Sequence, residues 1–144
     1  MSDRNNELKK EVLYYAKLMD EKGMVNTLEG NLSILDRETG KMYITPSGTR
    51  KRFLNEDKIA VVNTENGEQI EGTVKRSSEI LLHEAALKAR PDCNAAAHIH
   101  APYLTAYAYC GKDIKLKCST TFSLVSEEIP SLPYGLPGTI HIAD

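Results

Sequence analysis

The sequence predicts one domain of the α/β class, in which helices accompany short antiparallel strands. Its 144 residues fit the size of a single domain, so we take residues 1–144 as one unit. Hydrophobic residues make up 41% and charged residues 26%, which is ordinary globular usage and excludes collagen, a coiled coil or a largely disordered chain. Helical spacing of apolar residues also alternates with pairs of strand patterns joined by polar turns.

The first predicted element is an amphipathic helix. Its apolar residues recur at spacings of three and four, which places them on one face. They are Leu8, Val12, Tyr15, Ala16 and Met19. Gly23 can end this helix, because glycine adopts the left-handed conformation found after helix C-termini.

Two strand–turn–strand units follow this helix. Residues 30–34 and 42–44 flank a polar turn, which predicts a hairpin. Residues 59–62 and 69–70 flank the Asn66-Gly67 turn and predict a second unit. The first half of the chain is therefore a helix followed by short antiparallel strands.

A second helix is predicted from a cap at Ser77 or Ser78 to Ala89. It should stop before Pro91, because the residue preceding a proline avoids the helical region. A strand at 95–100 follows the helix.

Three further elements are predicted in the last third of the chain. Pro102 can begin a third helix, from about Tyr103 to Tyr109, that Gly111 ends. Residues 114–118 alternate as a strand does, and 129–137 resemble a loop. Thr139 can cap another helix, but only five residues follow it, so we expect the sequence to end inside an element.

Charge and cysteine usage limit the partners and the location. Eighteen basic against twenty acidic residues give a net charge of −2, which argues against a nucleic acid partner. No apolar run approaches a membrane span and the first residues lack an apolar signal core, so we expect a cytoplasmic protein with no membrane partner. Cys93, Cys110 and Cys118 contain no C-x-x-C pair and are interpreted as reduced packing residues.

Two histidines suggest half of a metal site. If residues 95–100 form a strand, His98 and His100 leave the same face, about 6.6 Å apart. Both can then approach one zinc ion, although catalytic zinc usually has three protein ligands. The alternative is two half-buried histidines whose ring nitrogens bond to backbone or water.

The start of the second helix suggests an anion site. Two hydroxyls in Ser77-Ser78 lie where unpaired N–H groups and the helix dipole attract a phosphate. The alternative is a plain helix cap with Glu79 as an acidic first turn. His83, one turn later, could orient Glu79, but we interpret it as a helix-surface histidine without a catalytic part. We likewise interpret the basic run 50–52 as a solvated loop.

Taken in order, six pieces of the sequence resemble the class II aldolase/adducin family, and within it the L-fuculose-1-phosphate aldolases. They are Gly30-Asn31-Leu32-Ser33; Ile44-Thr45-Pro46-Ser47-Gly48; Ser77-Ser78-Glu79 with His83; Arg90-Pro91-Asp92; Ala97-His98-Ile99-His100-Ala101; and Pro133-Tyr134 with Pro137-Gly138-Thr139. The resemblance runs from the first helix to the last residue. It implies a three-layer α/β/α domain with a central, mainly antiparallel sheet. It also implies a homotetramer with active sites at subunit interfaces.

The resemblance also assigns roles to residues. It implies a site for the substrate phosphate, formed by Gly30, Asn31, Ser47, Gly48, Ser77 and Ser78. Glu79 is implied as the catalytic acid/base that also approaches the metal, and His98 and His100 as two of three zinc histidines. The family's third histidine lies well after the Pro-Gly-Thr motif, so we expect the domain to be C-terminally incomplete. His141 does not match that ligand, and the family's tyrosine acid falls near Ser119 or Thr120.

The activity implied is a zinc-dependent aldolase that cleaves a ketose 1-phosphate, such as L-fuculose 1-phosphate, to dihydroxyacetone phosphate and an aldehyde. The alternatives within the family are an L-ribulose-5-phosphate 4-epimerase and a methylthioribulose-phosphate dehydratase. Epimerases of this pattern typically have aspartate where Glu79 stands, so Glu79 favours the lyase. A non-catalytic adducin-like module would lack His98 and His100. An inactive, shortened piece of an aldolase is a further alternative.

Overall fold

The computed structural model describes residues 2–116, 128–136 and 139 of this chain. The chain divides into two compact units, of which the first is Met1–Ile99 with Gly135–Asp144 and the second is His100–Tyr134. That all 144 residues form a single domain stays a prediction.

The first unit contains an antiparallel sheet with a helix on each face. Its elements are α1 (Ser2–Glu21), β1 (Asn31–Asp36), β2 (Lys41–Ile44), β3 (Ala60–Asn63), β4 (Gln69–Glu71), α2 (Ile80–Ala89) and β5 (Ala95–His98), with 3₁₀ turns at Lys51–Phe53 and Glu56–Lys58. The strand order is β4-β3-β2-β1-β5, and every neighbouring pair is antiparallel. Both predicted strand–turn–strand units are confirmed. β5 returns to pair with β1, so that the first hairpin lies between β3 and β5.

Side chains on the two faces of the sheet form two separate apolar clusters. Leu32 and Ile34 of β1 join the cluster under α1. The opposite face packs against α2 through Met42, Ile44, Ala60, Val62, Ile80 and Leu87. Successive strand residues point to opposite faces, so Asn31 and Ser33 lie on the α2 side. The layered α/β/α arrangement that the resemblance implied is therefore present in this unit.

The first helix agrees with its prediction except at Tyr15. Val12, Ala16 and Met19 are buried, and Gly23 has the left-handed φ of +67° that the helix end requires. Tyr15 is exposed and packs edge-on against Tyr14 instead. Its place against the core is taken by Leu13, since the buried stripe is turned slightly from the one predicted.

The second unit contains α3 (Pro102–Tyr109) and a short antiparallel pair, β6 (Ile114–Lys115) with β7 (Glu128–Ile129). The predicted third helix is confirmed, as is the glycine end at Gly111 with φ +59°. The strand expected over 114–118 is confirmed for its first two residues, while Lys117 and Cys118 lie outside the described residues. Among the described helices none is long and apolar enough to cross a membrane.

Two smaller expectations concern cysteine and the C-terminus. Cys93 packs beside the cluster under α2, as expected, but Cys110 is exposed and is not a packing residue. The helix expected after Thr139 falls on residues outside the described ranges, as do Ser119, Thr120 and His141.

Candidate active site

A strand and a helix with matching repeats position the polar residues of the site. Asn31 and Ser33 are two residues apart on β1, about 6.7 Å along the strand. Glu79 immediately precedes α2 and His83 is one turn later, about 6 Å along the helix axis. The two polar pairs therefore face each other across the contact between sheet and helix.

Glu79 accepts two hydrogen bonds on one carboxyl oxygen. The Asn31 side-chain nitrogen donates to Glu79 Oε2 over 2.6 Å. His98 Nδ1 lies 2.6 Å from the same oxygen. Asn31 and His98 are directly opposed residues of β1 and β5, so the sheet register itself brings these two donors together.

His83 is buried, and its prediction as a helix-surface residue is wrong. It is 1% exposed and shares a stripe with the buried Ile80 and Leu87 of α2. Its Nδ1 lies 2.7 Å from Ser33 Oγ, and its Nε2 bonds to Asn31 Oδ1. Burial, assisted by the charge of His98 and opposed by that of Glu79, lowers the pKa of His83 to about 4, so the ring is neutral at pH 7.

Backbone bonds at Thr45 bring the three proposed phosphate loops together. Thr45 and Leu32 bond to each other through both backbone and hydroxyl, which ties this loop beside Asn31. The Ser77 N–H donates to the Thr45 carbonyl, and the Ser47 N–H donates to that of Lys75. Gly30-Asn31, Ser47-Gly48 and Ser77-Ser78 thus lie on three adjoining segments, although they are far apart in sequence.

The cap at the start of α2 differs from the prediction. Glu79, not Ser77 or Ser78, occupies the N-cap position, and its own side chain makes no capping bond. Ser77 is buried, and its hydroxyl accepts the Glu79 N–H. Ser78 is exposed, as are Ser47 and Gly48, so these residues line the open side of the three loops.

Gly30 occupies a position that no other residue fits without strain. Its φ is +71°, and an added Cβ would collide with Val25 Cγ1 and lie 2.9 Å from the His98 carbonyl oxygen. Gly48 has a similar φ of +63° but nothing within 4 Å of an added Cβ. Gly30 therefore permits the close approach between its loop and β5, while Gly48 only turns the chain.

The two glycines form a matched pair for a stability test. Both Gly→Ala variants should lose about 1 to 2 kcal/mol to the left-handed conformation. Gly30→Ala should lose about 1 to 3 kcal/mol more, because it also overpacks the contact with Val25. Urea unfolding of the two variants measures this difference, and equal losses would contradict it.

Lys51 is buried, which contradicts the prediction of a solvated loop at 50–52. Its Nζ donates to the carbonyl oxygens of Leu28 and Glu29, over 3.2 and 2.9 Å. Burial lowers the pKa of Lys51, while the charges of Asp20, Glu79 and Glu29 oppose that shift. Lys51 thereby fixes the segment that leads into Gly30, a role that nothing in the basic run indicated.

The structure brings Glu79 and His98 together and places His100 elsewhere. β5 ends at His98, so the prediction that both histidines project from one strand is wrong. His100 is half-buried and begins the second unit. Within the described ranges no three His, Cys, Asp or Glu side chains form a group that could hold a metal ion. Glu79 and His98 supply one oxygen and one nitrogen donor of the kinds that zinc accepts.

Comparison with known proteins identifies close relatives. Residues 10–144 match the family model described as Class II Aldolase and Adducin N-terminal domain. A 5-deoxy-D-ribulose 1-phosphate aldolase of Bacillus thuringiensis serovar kurstaki is 32% identical over 136 residues, which are 94% of this chain and 63% of that protein. The L-fuculose phosphate aldolase of Escherichia coli K12 is 31% identical over 139 residues, 96% of this chain and 63% of the relative.

A solved structure gives the same result for the fold. A structure titled L-fuculose 1-phosphate aldolase superposes with a TM-score of 0.87 at 30% identity, covering 95% of this chain and 64% of that one. The fold class implied by the sequence is therefore confirmed. The chain spans just under two thirds of the length of these relatives.

Proposed function

Because this chain belongs to the class II aldolase and adducin N-terminal domain family, we propose that it provides the phosphate-binding loops and the acid/base of a zinc-dependent aldolase. The reaction is cleavage of a ketose 1-phosphate to dihydroxyacetone phosphate and an aldehyde. The observation that carries this proposal is the group formed by Asn31, Glu79 and His98, linked by bonds of 2.6 Å beside the three gathered loops.

The substrate class is supported by the relatives. Both are named for aldolases of a ketose 1-phosphate, one of 5-deoxyribulose and one of fuculose. The two sugars differ away from the phosphate, so the part they share is the part that the loops of this chain would bind. We place the phosphate against Gly30, Asn31, Ser47, Gly48, Ser77 and Ser78, whose backbone N–H, amide and hydroxyl groups can donate to it.

Glu79 is the acid/base in this proposal. When the carbon–carbon bond breaks, the aldehyde leaves and the remaining carbon must gain a proton before dihydroxyacetone phosphate is released. Glu79 is the group that holds this proton and delivers it. Asn31 and His98 keep its carboxyl group in place by bonding to Oε2, and the bound phosphate holds the sugar in the reactive position.

Zinc is proposed from the chemistry of the donors. A neutral His98 that donates from Nδ1 carries its lone pair on Nε2, which is the form of histidine that binds metal. His98, His100 and Glu79 are the ligands proposed from this chain. When bound, zinc supplies Lewis-acid stabilisation of the negative charge that cleavage leaves on the substrate.

We also propose a cytoplasmic homotetramer. Its support is the tyrosines exposed in the second unit: Tyr103, Tyr109 and Tyr134 are each more than four-fifths exposed. Large aromatic side chains at a surface are typical of interfaces.

Metal content and lyase activity test the proposed function together. We expect about one zinc ion per chain by elemental analysis after dialysis, lost in His98→Ala. With zinc supplied, L-fuculose 1-phosphate or 5-deoxy-D-ribulose 1-phosphate should release dihydroxyacetone phosphate. L-ribulose 5-phosphate serves as the parallel substrate, since its epimerisation would favour the alternative activity. If zinc binds but none of the three sugars reacts, the proposed function is wrong.

A further inference from the structure

A buried histidine that the proposed reaction does not use lies directly behind the acid/base. His83 is 1% exposed and is four residues after Glu79 in the chain. Both of its ring nitrogens bond to side chains of β1, Nδ1 to Ser33 and Nε2 to Asn31. A buried polar ring held at both nitrogens has one orientation only.

The partners of His83 determine where its proton lies. Asn31 Oδ1 can only accept, so His83 Nε2 must donate to it. A neutral imidazole has a single N–H, so Nδ1 is then an acceptor and the Ser33 hydroxyl donates to it. Ser33 and Asn31 together select the tautomer with hydrogen on Nε2.

This tautomer in turn determines the orientation of the Asn31 amide. With Oδ1 bonded to His83, the amide nitrogen is directed at Glu79 Oε2, 2.6 Å away. A reversed amide would place an acceptor against that oxygen and a donor against the donating Nε2, which loses both bonds. The amide can therefore serve Glu79 only while His83 donates to it.

We propose that His83 is a positioning residue for Glu79, acting through the Asn31 amide. Ser33 holds the ring, the ring holds the amide, and the amide holds the carboxyl oxygen. This inference rests on the proposed function for the role of Glu79, but its geometry concerns residues of this chain alone. Asn31 then has two duties, because its second amide hydrogen remains for the substrate phosphate.

Two substitutions of His83 differ in the one bond that matters. His83→Gln has the longer side chain, whose amide nitrogen can reach the Nε2 position and donate to Asn31. His83→Asn is one carbon shorter and reaches only the Nδ1 position, beside Ser33. Both place a neutral amide in the same buried site, so a merely structural role predicts similar losses in the two variants.

The activity arm compares turnover. We expect kcat to fall about 10- to 100-fold in His83→Asn, the usual effect of losing a group that orients a catalytic side chain, and several-fold less in His83→Gln. Equal kcat values in the two variants would overturn the inference and leave the proposed function intact.

The spectroscopic arm needs neither metal nor substrate. In the wild-type chain labelled with ¹⁵N, long-range ¹H–¹⁵N spectra should show His83 with hydrogen on Nε2, and hydrogen on Nδ1 would overturn the inference whatever the activity. The side-chain amide signals of Asn31 should shift more in His83→Asn than in His83→Gln. If the wild-type chain cleaves no ketose 1-phosphate, the proposed function fails, and these spectra alone decide whether His83 sets the Asn31 amide.

Discussion

Replacing Glu79 by glutamine should lower the aldolase rate about 100- to 10,000-fold, the range typical of a lost general acid/base. The amide is the same size as the carboxyl group and retains an oxygen that can accept from Asn31 and His98. It cannot hold or deliver a proton at the required step. We therefore expect kcat to fall while the free energy of unfolding changes by less than about 1 kcal/mol.

Glu84→Gln is the matched control for this substitution. Glu84 lies on α2 five residues after Glu79, is half-buried, and lines a separate cavity with Leu35, Arg37, Met42, Thr64 and Lys88. Removing its charge should leave the rate within about two-fold of wild type, because no proton transfer uses it. A Glu79→Gln enzyme that kept a tenth or more of the wild-type rate would show that another group moves the proton.

Local patterns predicted the elements of the first unit well. The hairpins follow from alternating apolar residues on either side of turn residues, and both signals depend only on neighbouring positions. The pairing of β5 with β1 is different, because it joins strands sixty residues apart and depends on how α2 packs. That pairing places His98 opposite Asn31, so the central contact of the site could not be predicted from spacing alone.

His83 shows where a usable signal was present in the sequence. Ile80, His83 and Leu87 follow the three- and four-residue spacing of one helix face, which predicts that all three are buried together. Helix α2 has leucines on other faces as well, and these obscured the stripe. Lys51 carries no such signal, since burial of a lysine depends on carbonyl groups that only the folded loop at 28–29 presents.

Acidification from pH 7 to pH 4 should lower the free energy of unfolding by about 3 kcal/mol through His83 alone. Burial lowers the pKa of His83 from 6.5 to about 4, and each unit corresponds to about 1.4 kcal/mol. Between these values the unfolded chain binds a proton that the folded chain does not, so stability falls as the pH falls. Above pH 6.5 neither state binds the proton, and His83 contributes no pH dependence.

Other carboxyl groups affect stability in a separate pH range or in the opposite sense. Burial opposes ionisation of Asp36, but bonds from Thr39, Glu38 and Arg4 outweigh it and lower the pKa of Asp36 below 3.8. Its contribution is therefore lost only as the pH falls below that value. Burial raises the pKa of Glu84, which gives a small gain in stability on acidification. That gain is common to the wild type and to any variant of His83.

Urea unfolding at several pH values, in the wild type and in His83→Gln, isolates the histidine. Glutamine does not titrate, so the difference in stability between the two proteins should shrink by about 3 kcal/mol from pH 7 to pH 4. A constant difference across this range would mean that the folded protein accommodates a protonated His83. In that case Nε2 and Nδ1 would both donate, and Ser33 Oγ would have to act as the acceptor for Nδ1. The pH dependence therefore reports directly on the hydrogen-bond direction that holds Asn31 toward Glu79.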